Sequence, residues 1–188
     1  MKVRSLIAAA GCWCAVALGL AADKTREESG VSMPEMVGVA GRELQLNGMG
    51  VFKEAFFKVY VAGLYLEDPT ADARIAINTD EAKRIVIVML RDVSRKTFVQ
   101  AVETGILRNS SRSMPALRAR LDLLEQALPN LKKGDILDFT FVPGAGTVVR
   151  GQGKEMTIPG KDFADALFSA WLGAKPVNAG LKRKLLGV

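Results

Sequence analysis

The 188-residue chain contains no histidine, and its two cysteines, Cys12 and Cys14, both lie near its start. Catalysis that pairs a serine or cysteine nucleophile with histidine is therefore excluded, as are metal sites with imidazole ligands. Because residues 15–188 hold no thiol, they can form no disulfide, and their stability must come from packing. Oxygen ligands remain, but the sequence shows no clustered aspartate and asparagine loop of the calcium type, so we expect neither a metal nor a cofactor.

Long apolar runs are also scarce, and the longest lies at the start of the chain. Lys2 and Arg4 precede an apolar segment over residues 6–20, which ends in small residues before the charged Asp23. This arrangement is typical of an export signal, and the segment is short for a membrane-spanning helix, which needs about 20 residues. The sequence therefore predicts a signal peptide at residues 1–22 and a periplasmic protein, with an uncleaved membrane anchor as the alternative.

The charge balance is mildly basic, with 26 Lys and Arg against 20 Asp and Glu and a net charge of +6. The cations are scattered and interleaved with acids, as at residues 81–84 and in Arg91-Asp92. A nucleic-acid-binding protein would instead show a basic stripe with exposed aromatic side chains, so we expect no nucleic-acid partner. The basic excess favours an anionic ligand or peripheral contact with an anionic membrane surface.

The segment at residues 56–67, FFKVYVAGLYLE, predicts a strand that is apolar on both faces. Alternation places Lys58 and Tyr60 on one face and Tyr65 on the other, each among apolar neighbours. A strand in a sheet with one solvated face would alternate apolar and polar residues. Something must therefore cover both faces of this strand, and its few polar side chains are candidates for lining a cleft.

The remaining elements follow a pattern of strands, two helices, strands and two helices. This order predicts an α+β fold in which an antiparallel sheet carries helices packed on one face. We expect a flexible linker at residues 23–36 and one domain at residues 37–188. Within it, the sequence predicts a pair of short strands at 37–46, a turn at 47–50, strands at 51–67, 85–90, 136–142, 147–150 and 155–158, and helices at 98–107, 114–128, 162–171 and 179–186.

Four polar residues are candidate ligand contacts on this pattern. Lys58 and Tyr60 lie on the apolar strand, although the Lys58 stem could simply cover apolar surface and Tyr60 could be an ordinary sheet aromatic. Arg108 and Asn109 follow Gly105 near the end of a predicted helix. They could point into a cleft or solvate the helix end, where a cation is favoured.

Three groups of short motifs stand out by their order and spacing. They are residues 46–51 (LNGMGV) with 57–66 (FKVYVAGLYL); residues 132–135 (KKGD) with 141–144 (FVPG); and residues 158–160 (IPG), Phe163-Ala164, Leu167, 171–173 (WLG), 175–177 (KPV) and Leu181-Lys182. Together they resemble the chalcone isomerase-like proteins of bacteria, and the resemblance spans about residues 37–187. It implies an open-faced sandwich, with helices over one sheet face around a ligand cleft.

The resemblance also implies what the cleft holds. In the related plant enzymes it binds a phenolic chalcone and closes its ring, with an arginine that polarises the substrate, whereas relatives without isomerase activity hold a fatty acid with arginine and tyrosine. Bacterial members carry an arginine directly after the glycine-rich turn, where this chain has Phe52 followed by Lys53. Lysine supplies charge but not the planar fork of donors of a guanidinium. The plant catalytic threonine falls near Tyr60.

Three functions are open at this point. The first is a non-catalytic protein that holds a small amphiphile, such as a fatty acid or an aromatic acid, between the strand and the helices at 98–107 and 163–171. The second is an isomerase or intramolecular lyase that acts on a chalcone-like phenolic, and the third is a structural or interaction protein with a filled cleft. The candidate ligand-binding residues are Phe52, Lys53, Lys58, Tyr60, Arg108 and Asn109.

Overall fold

A computed structural model of the protein describes residues 24–110 and 113–188. The expected signal peptide and both cysteines lie outside the described residues. The strands are β1 Thr25–Glu28, β2 Val31–Pro34, β3 Met36–Val39, β4 Arg42–Glu54, β5 Phe57–Leu66, β6 Lys83–Met89, β7 Ile136–Val142, β8 Gly146–Gly151 and β9 Lys154–Ile158. The helices are α1 Ala73–Asn78, α2 Arg95–Ser110, α3 Met114–Ala127, α4 Lys161–Leu172 and α5 Ala179–Leu185.

Strands β3 to β9 form a seven-stranded antiparallel sheet in which each strand pairs with its neighbours in the chain. Helices α2 and α3 are inserted between β6 and β7, and α4 and α5 follow β9. The main hydrophobic core lies between the sheet and the helices, with Leu64, Ile85, Phe139 and Leu167 fully buried in it. The α+β fold predicted from the order of elements is confirmed.

Strand β5 is covered on both of its faces, as its composition requires. Its Tyr60 and Leu64 belong to the core against the helices, whereas Val61 and Tyr65 belong to a second cluster on the opposite face. Met33 of β2 packs in that second cluster, and the Tyr65 hydroxyl donates a hydrogen bond to the Pro34 carbonyl at 2.9 Å.

The cover of the second face corrects the expectation of a flexible linker at residues 23–36. Residues 25–34 form an antiparallel hairpin, β1 with β2, and Ser29-Gly30 turn between them with positive φ angles of 53° and 78°. The polar composition of this segment reflects its outer surface, because Met33 alone among these residues is fully buried.

The glycines at residues 47–50 also differ from the sequence expectation, because they lie within β4 and form no turn. A Cβ on Gly48 would lie 2.1 Å from the Lys184 carbonyl oxygen, and one on Gly50 would lie 2.6 Å from the Lys184 Cβ. These glycines therefore allow α5 to pack directly on the strand. Gly105 does the same between helices, where an added Cβ would lie 2.8 Å from the Ala170 Cβ of α4.

No helix within residues 24–110 and 113–188 is long and apolar enough to cross a membrane.

Lys83 is a buried cation at the start of β6, with its side chain on the helix-facing side of the sheet. Its ammonium donates to the carbonyl oxygens of Ala76, Ile77 and Thr79, which lie at the C-terminal end of α1. The nearest carboxylate oxygen, on Asp165, is 3.9 Å away. Burial lowers the pKa of Lys83 to about 8, and the Asp165 carboxylate opposes that shift.

This lowered pKa predicts a specific pH dependence of stability. Between pH 8 and 10.5 the unfolded chain holds the Lys83 proton more fully than the folded chain, so the free energy of unfolding should rise with pH in this window. The contribution is at most about 3 kcal/mol. Urea denaturation of the unmodified protein and of Lys83→Met at several pH values in this range measures the contribution of Lys83. All other titrating groups are present in both proteins, so their effects cancel in the difference. A constant difference between the two would contradict the prediction.

Candidate ligand-binding site

A cavity of about 350 Å³ lies between the β4–β5 hairpin and helices α2 and α4. Its residues come from six parts of the chain. They are Phe52 and Glu54 of β4, Val59 and Tyr60 of β5, residues 91–94 after β6, Thr97, Phe98, Ala101 and Val102 of α2, Trp171 of α4, and Val177. This position agrees with the cleft predicted between the strand and these two helices.

Aromatic side chains form the inner wall of the cavity. The rings of Phe52 and Tyr60 stack with centroids 4.8 Å apart, and Tyr60 meets Phe98 edge-on at 6.4 Å. Phe98 stacks on Phe139, which contacts Trp171 at 5.8 Å. Four of these five rings, Phe52, Tyr60, Phe98 and Trp171, line the cavity, so its inner wall is largely aromatic.

One hydrogen bond joins the two polar aromatic side chains of this wall. The Trp171 Nε1–H donates to the Tyr60 hydroxyl oxygen at 3.0 Å, and both side chains are buried. Burial raises the pKa of Tyr60 far above its ordinary value, so the hydroxyl stays protonated at neutral pH. Because its oxygen accepts from Trp171, the hydroxyl still has its own hydrogen to donate. Tyr60 can therefore orient a ligand but cannot act as a base.

The mouth of the cavity carries the charged and hydroxyl groups. Arg91 is exposed there, and its guanidinium lies 5.1 Å from the centre of the Phe57 ring. The neighbouring Asp92 is directed elsewhere, because it accepts from the Lys133 backbone N–H at 2.9 Å and the Lys132 ammonium at 3.0 Å, which lower its pKa. Within the described part of the chain, Arg91 forms no ion pair.

Phe52 and Tyr60 are the two predicted site residues that line the cavity. The expectation that Lys58 shares a face with Tyr60 is wrong, because Val59 forms a β-bulge: Phe52 pairs with Tyr60, and Lys53 pairs with Lys58. The extra residue turns Lys58 to the other side of the hairpin, where its ammonium donates to the Ser29 hydroxyl at 3.0 Å. Lys53 also lies on that side, as alternation from Phe52 predicts.

Arg108 and Asn109 lie near the C-terminal end of α2 and do not line the cavity. The Arg108 side chain is exposed, which agrees with the solvated alternative. The Asn109 amide donates to the carbonyl oxygens of Gly105, Ser169 and Lys175, and its oxygen accepts from the Lys175 N–H at 2.8 Å. Asn109 therefore fixes the loop after α4 and has no free donor for a ligand.

Several cavity residues were not predicted from the sequence. In the sequence Arg91 is one of many scattered charges. Ser94 caps α2 by accepting from the Thr97 N–H at 3.1 Å, and no sequence pattern indicates that it also lines a cavity. The signal that could have identified Arg91 is its place directly after the buried strand β6, beside the start of α2. Within the residues that the structure describes, no group of three or more acidic, histidine or cysteine side chains could hold a metal ion.

Comparison with known proteins identifies the class of this fold. The family model described as chalcone isomerase-like matches residues 25–187, and the chain belongs to that family. Its match begins with β1, which places the N-terminal hairpin inside the family region.

Among solved structures, a fatty-acid binding protein of Arabidopsis thaliana is similar, with a TM-score of 0.68. The two share 16% sequence identity, and the alignment covers 87% of this chain and 96% of the plant protein. At this identity the likeness shows the fold alone. No curated protein matches the chain in sequence.

The Tyr60–Trp171 hydrogen bond yields a stability prediction. Tyr60→Phe removes the acceptor and leaves a buried indole N–H without a partner, so we expect a loss of about 1–3 kcal/mol in the free energy of unfolding. Tyr65→Phe is the matched control: it removes a hydroxyl donor from a carbonyl and should cost about 1 kcal/mol or less. Urea denaturation measures both. Equal losses would show that the Trp171 N–H finds another partner.

Proposed function

We propose that the protein holds a small amphiphilic acid, such as a fatty acid or an aromatic acid, in the cavity and does not transform it. The observation that carries this function is the division of the cavity into an aromatic inner wall and a mouth with the Arg91 guanidinium, which forms no ion pair with any residue that the structure describes. An apolar pocket with a few convergent polar groups is the usual form of a small-molecule site. The named function of the structurally similar plant protein, fatty-acid binding, supports the same ligand class.

Arg91 is the residue that would hold the ligand's carboxylate. Family resemblance implies an arginine at the position of Phe52, but that ring stacks on Tyr60 and has no donor. Arg91 supplies a planar guanidinium from a different part of the chain, at the mouth of the same cavity. The hydroxyls of Ser94 and Thr97 stand beside it on the rim. The apolar part of the ligand would then lie against Tyr60, Phe98 and Trp171.

The size of the cavity favours a small ligand. Pockets for small molecules range from about 300 to 1,000 Å³, and this one lies near the lower end of that range. The five-ring aromatic chain occupies the space that a long hydrocarbon tail would need. A short fatty acid or a single-ring aromatic acid therefore fits better than a long-chain lipid.

The geometry offers little for isomerase chemistry. A neutral Tyr60 can donate a hydrogen bond but cannot take a proton from a phenol, because burial raises its pKa. In addition, Phe52 occupies the position at which the family resemblance implies the arginine that would polarise a chalcone. The unfilled volume over Tyr60 argues against a purely structural role.

The site of action is part of the same proposal. The sequence of residues 1–22, with its basic start and apolar segment, supports export to the periplasm. Fractionation of cells that express the full chain, followed by mass spectrometry of the mature N-terminus, tests this. Recovery of the uncleaved chain in the cytosol would contradict it.

Arg91→Gln should weaken binding of the acid about tenfold, because a charge-assisted hydrogen bond is lost while the apolar wall stays intact. Isothermal titration of delipidated protein with saturated fatty acids of increasing length and with hydroxycinnamic acid measures the effect. Arg95→Gln is the control, since Arg95 is an exposed arginine four residues away that does not line the cavity. Failure of the unmodified protein to bind any of these acids would refute the proposed function.

A substitution that fills the cavity should abolish binding of the acid while leaving every charged side chain in place. Ala101 is exposed on α2 and lines the cavity, so Ala101→Phe places a ring in the ligand's volume with little disturbance of the core. Gln100→Phe adds the same ring to the neighbouring exposed position, which does not line the cavity. Titration should show loss of binding in the first variant alone. Equal binding by both variants would place the ligand elsewhere.

A further inference from the structure

Two phenylalanines stand in solvent at the turn of the β4–β5 hairpin. Phe56 is 99% exposed and Phe57 is 62% exposed, which makes Phe56 the most exposed of the large apolar residues that the structure describes. The two-residue turn Ala55-Phe56 holds Ala55 at a φ of 52°, in a region that L-residues rarely adopt. Neither ring is in the hydrophobic core, so folding stability does not explain them.

Cations surround this hairpin turn on both sides. Arg91 lies over the Phe57 ring on the cavity side. On the other side, a groove between the hairpin β1–β2 and α5 is lined by Lys53, Lys58, Arg183 and Lys184. Glu28 is the acidic residue among those that line this groove.

The charge of this region is not neutralised within the described residues. None of the five cations forms an ion pair there, and Lys58 has only the Ser29 hydroxyl as a side-chain partner. The nearby acids are Glu54 at the end of β4, Glu28 in the groove and Asp92 beside Arg91, so the five cations outnumber them. Exposed aromatic rings bordered by lysine and arginine match an interface between anionic headgroups and acyl chains, where rings enter the boundary and cations meet phosphates.

We propose that the β4–β5 turn docks the protein on an anionic phospholipid bilayer, with Phe56 and Phe57 entering the headgroup region. This inference rests on the proposed function, because docking would bring the mouth of the cavity to a bilayer in which the amphiphilic ligand is dissolved. The turn and the mouth are adjacent: Phe52 and Glu54 line the cavity, and Arg91 contacts both the cavity and Phe57. A ligand would then pass between bilayer and cavity past Arg91.

Vesicle flotation of the full-length protein tests the docking. We expect it to bind vesicles of phosphatidylcholine with phosphatidylglycerol, to bind pure phosphatidylcholine at least tenfold more weakly, and to release from the anionic vesicles at high salt. Phe56→Ser should lower the partition coefficient about tenfold, and Lys53→Gln with Lys58→Gln by a similar factor. Ile136→Ser, which removes another exposed apolar side chain, at 55% exposure on β7, should change nothing.

Titration of the same variants with a fatty acid in solution separates the two proposals. Phe56, Lys53 and Lys58 do not line the cavity, so these variants should bind the acid with unchanged affinity. Normal acid binding without vesicle binding by the unmodified protein would overturn the docking and leave the proposed function standing. Vesicle binding that depends on Phe56 in a protein that binds no acid would support the docking and refute the proposed function. Equal vesicle loss in Ile136→Ser would also overturn the docking.

Discussion

The fold depends on covering both faces of β5. Burying an apolar side chain is worth about 1.5–3 kcal/mol relative to leaving it in water, so a strand with apolar residues in both directions requires two covering layers. Helices α2 and α4 provide one layer, and the β1–β2 hairpin with Met33 provides the other. The N-terminal hairpin is therefore part of the domain, although its own composition is polar.

The size of the cavity depends on how much of the space over β5 the aromatic side chains occupy. The chain of rings from Trp171 to Phe52 uses the space between sheet and helices almost to the end of the hairpin, and what remains is a volume suited to one small ligand. The same rings set the chemistry of that volume: they exclude water from the inner wall and leave the polar contacts to the rim. Selectivity would then come from Arg91 and the length of the apolar part.

Sequence patterns were sufficient wherever one local signal determined the structure. The helices predicted at 98–107, 114–128, 162–171 and 179–186 correspond to α2, α3, α4 and α5, and the strand predicted at 136–142 is β7. The side chains of Ser94 and Asn178 cap the first and last of these helices. The turn predicted at residues 47–50 is wrong, because nothing local distinguishes a turn from the close approach of a distant helix. The Asn47 amide, for example, donates to the Leu185 carbonyl oxygen 138 residues later. Two of the six predicted site residues line the cavity: Tyr60 follows from the apolar strand pattern and Phe52 from the family resemblance. Arg91 enters the site through tertiary packing that no local spacing encodes.

The β-bulge at Val59 has a consequence for how this hairpin can vary. The extra residue reverses the alternation of side chains along β5. Residues between the bulge and the turn therefore face the opposite side of the sheet from the one that alternation from Tyr60 would give them. Substitutions at the outer end of the ribbon can therefore change its surface properties while the inner end keeps its packing partners. The two halves of one continuous strand are open to independent selection.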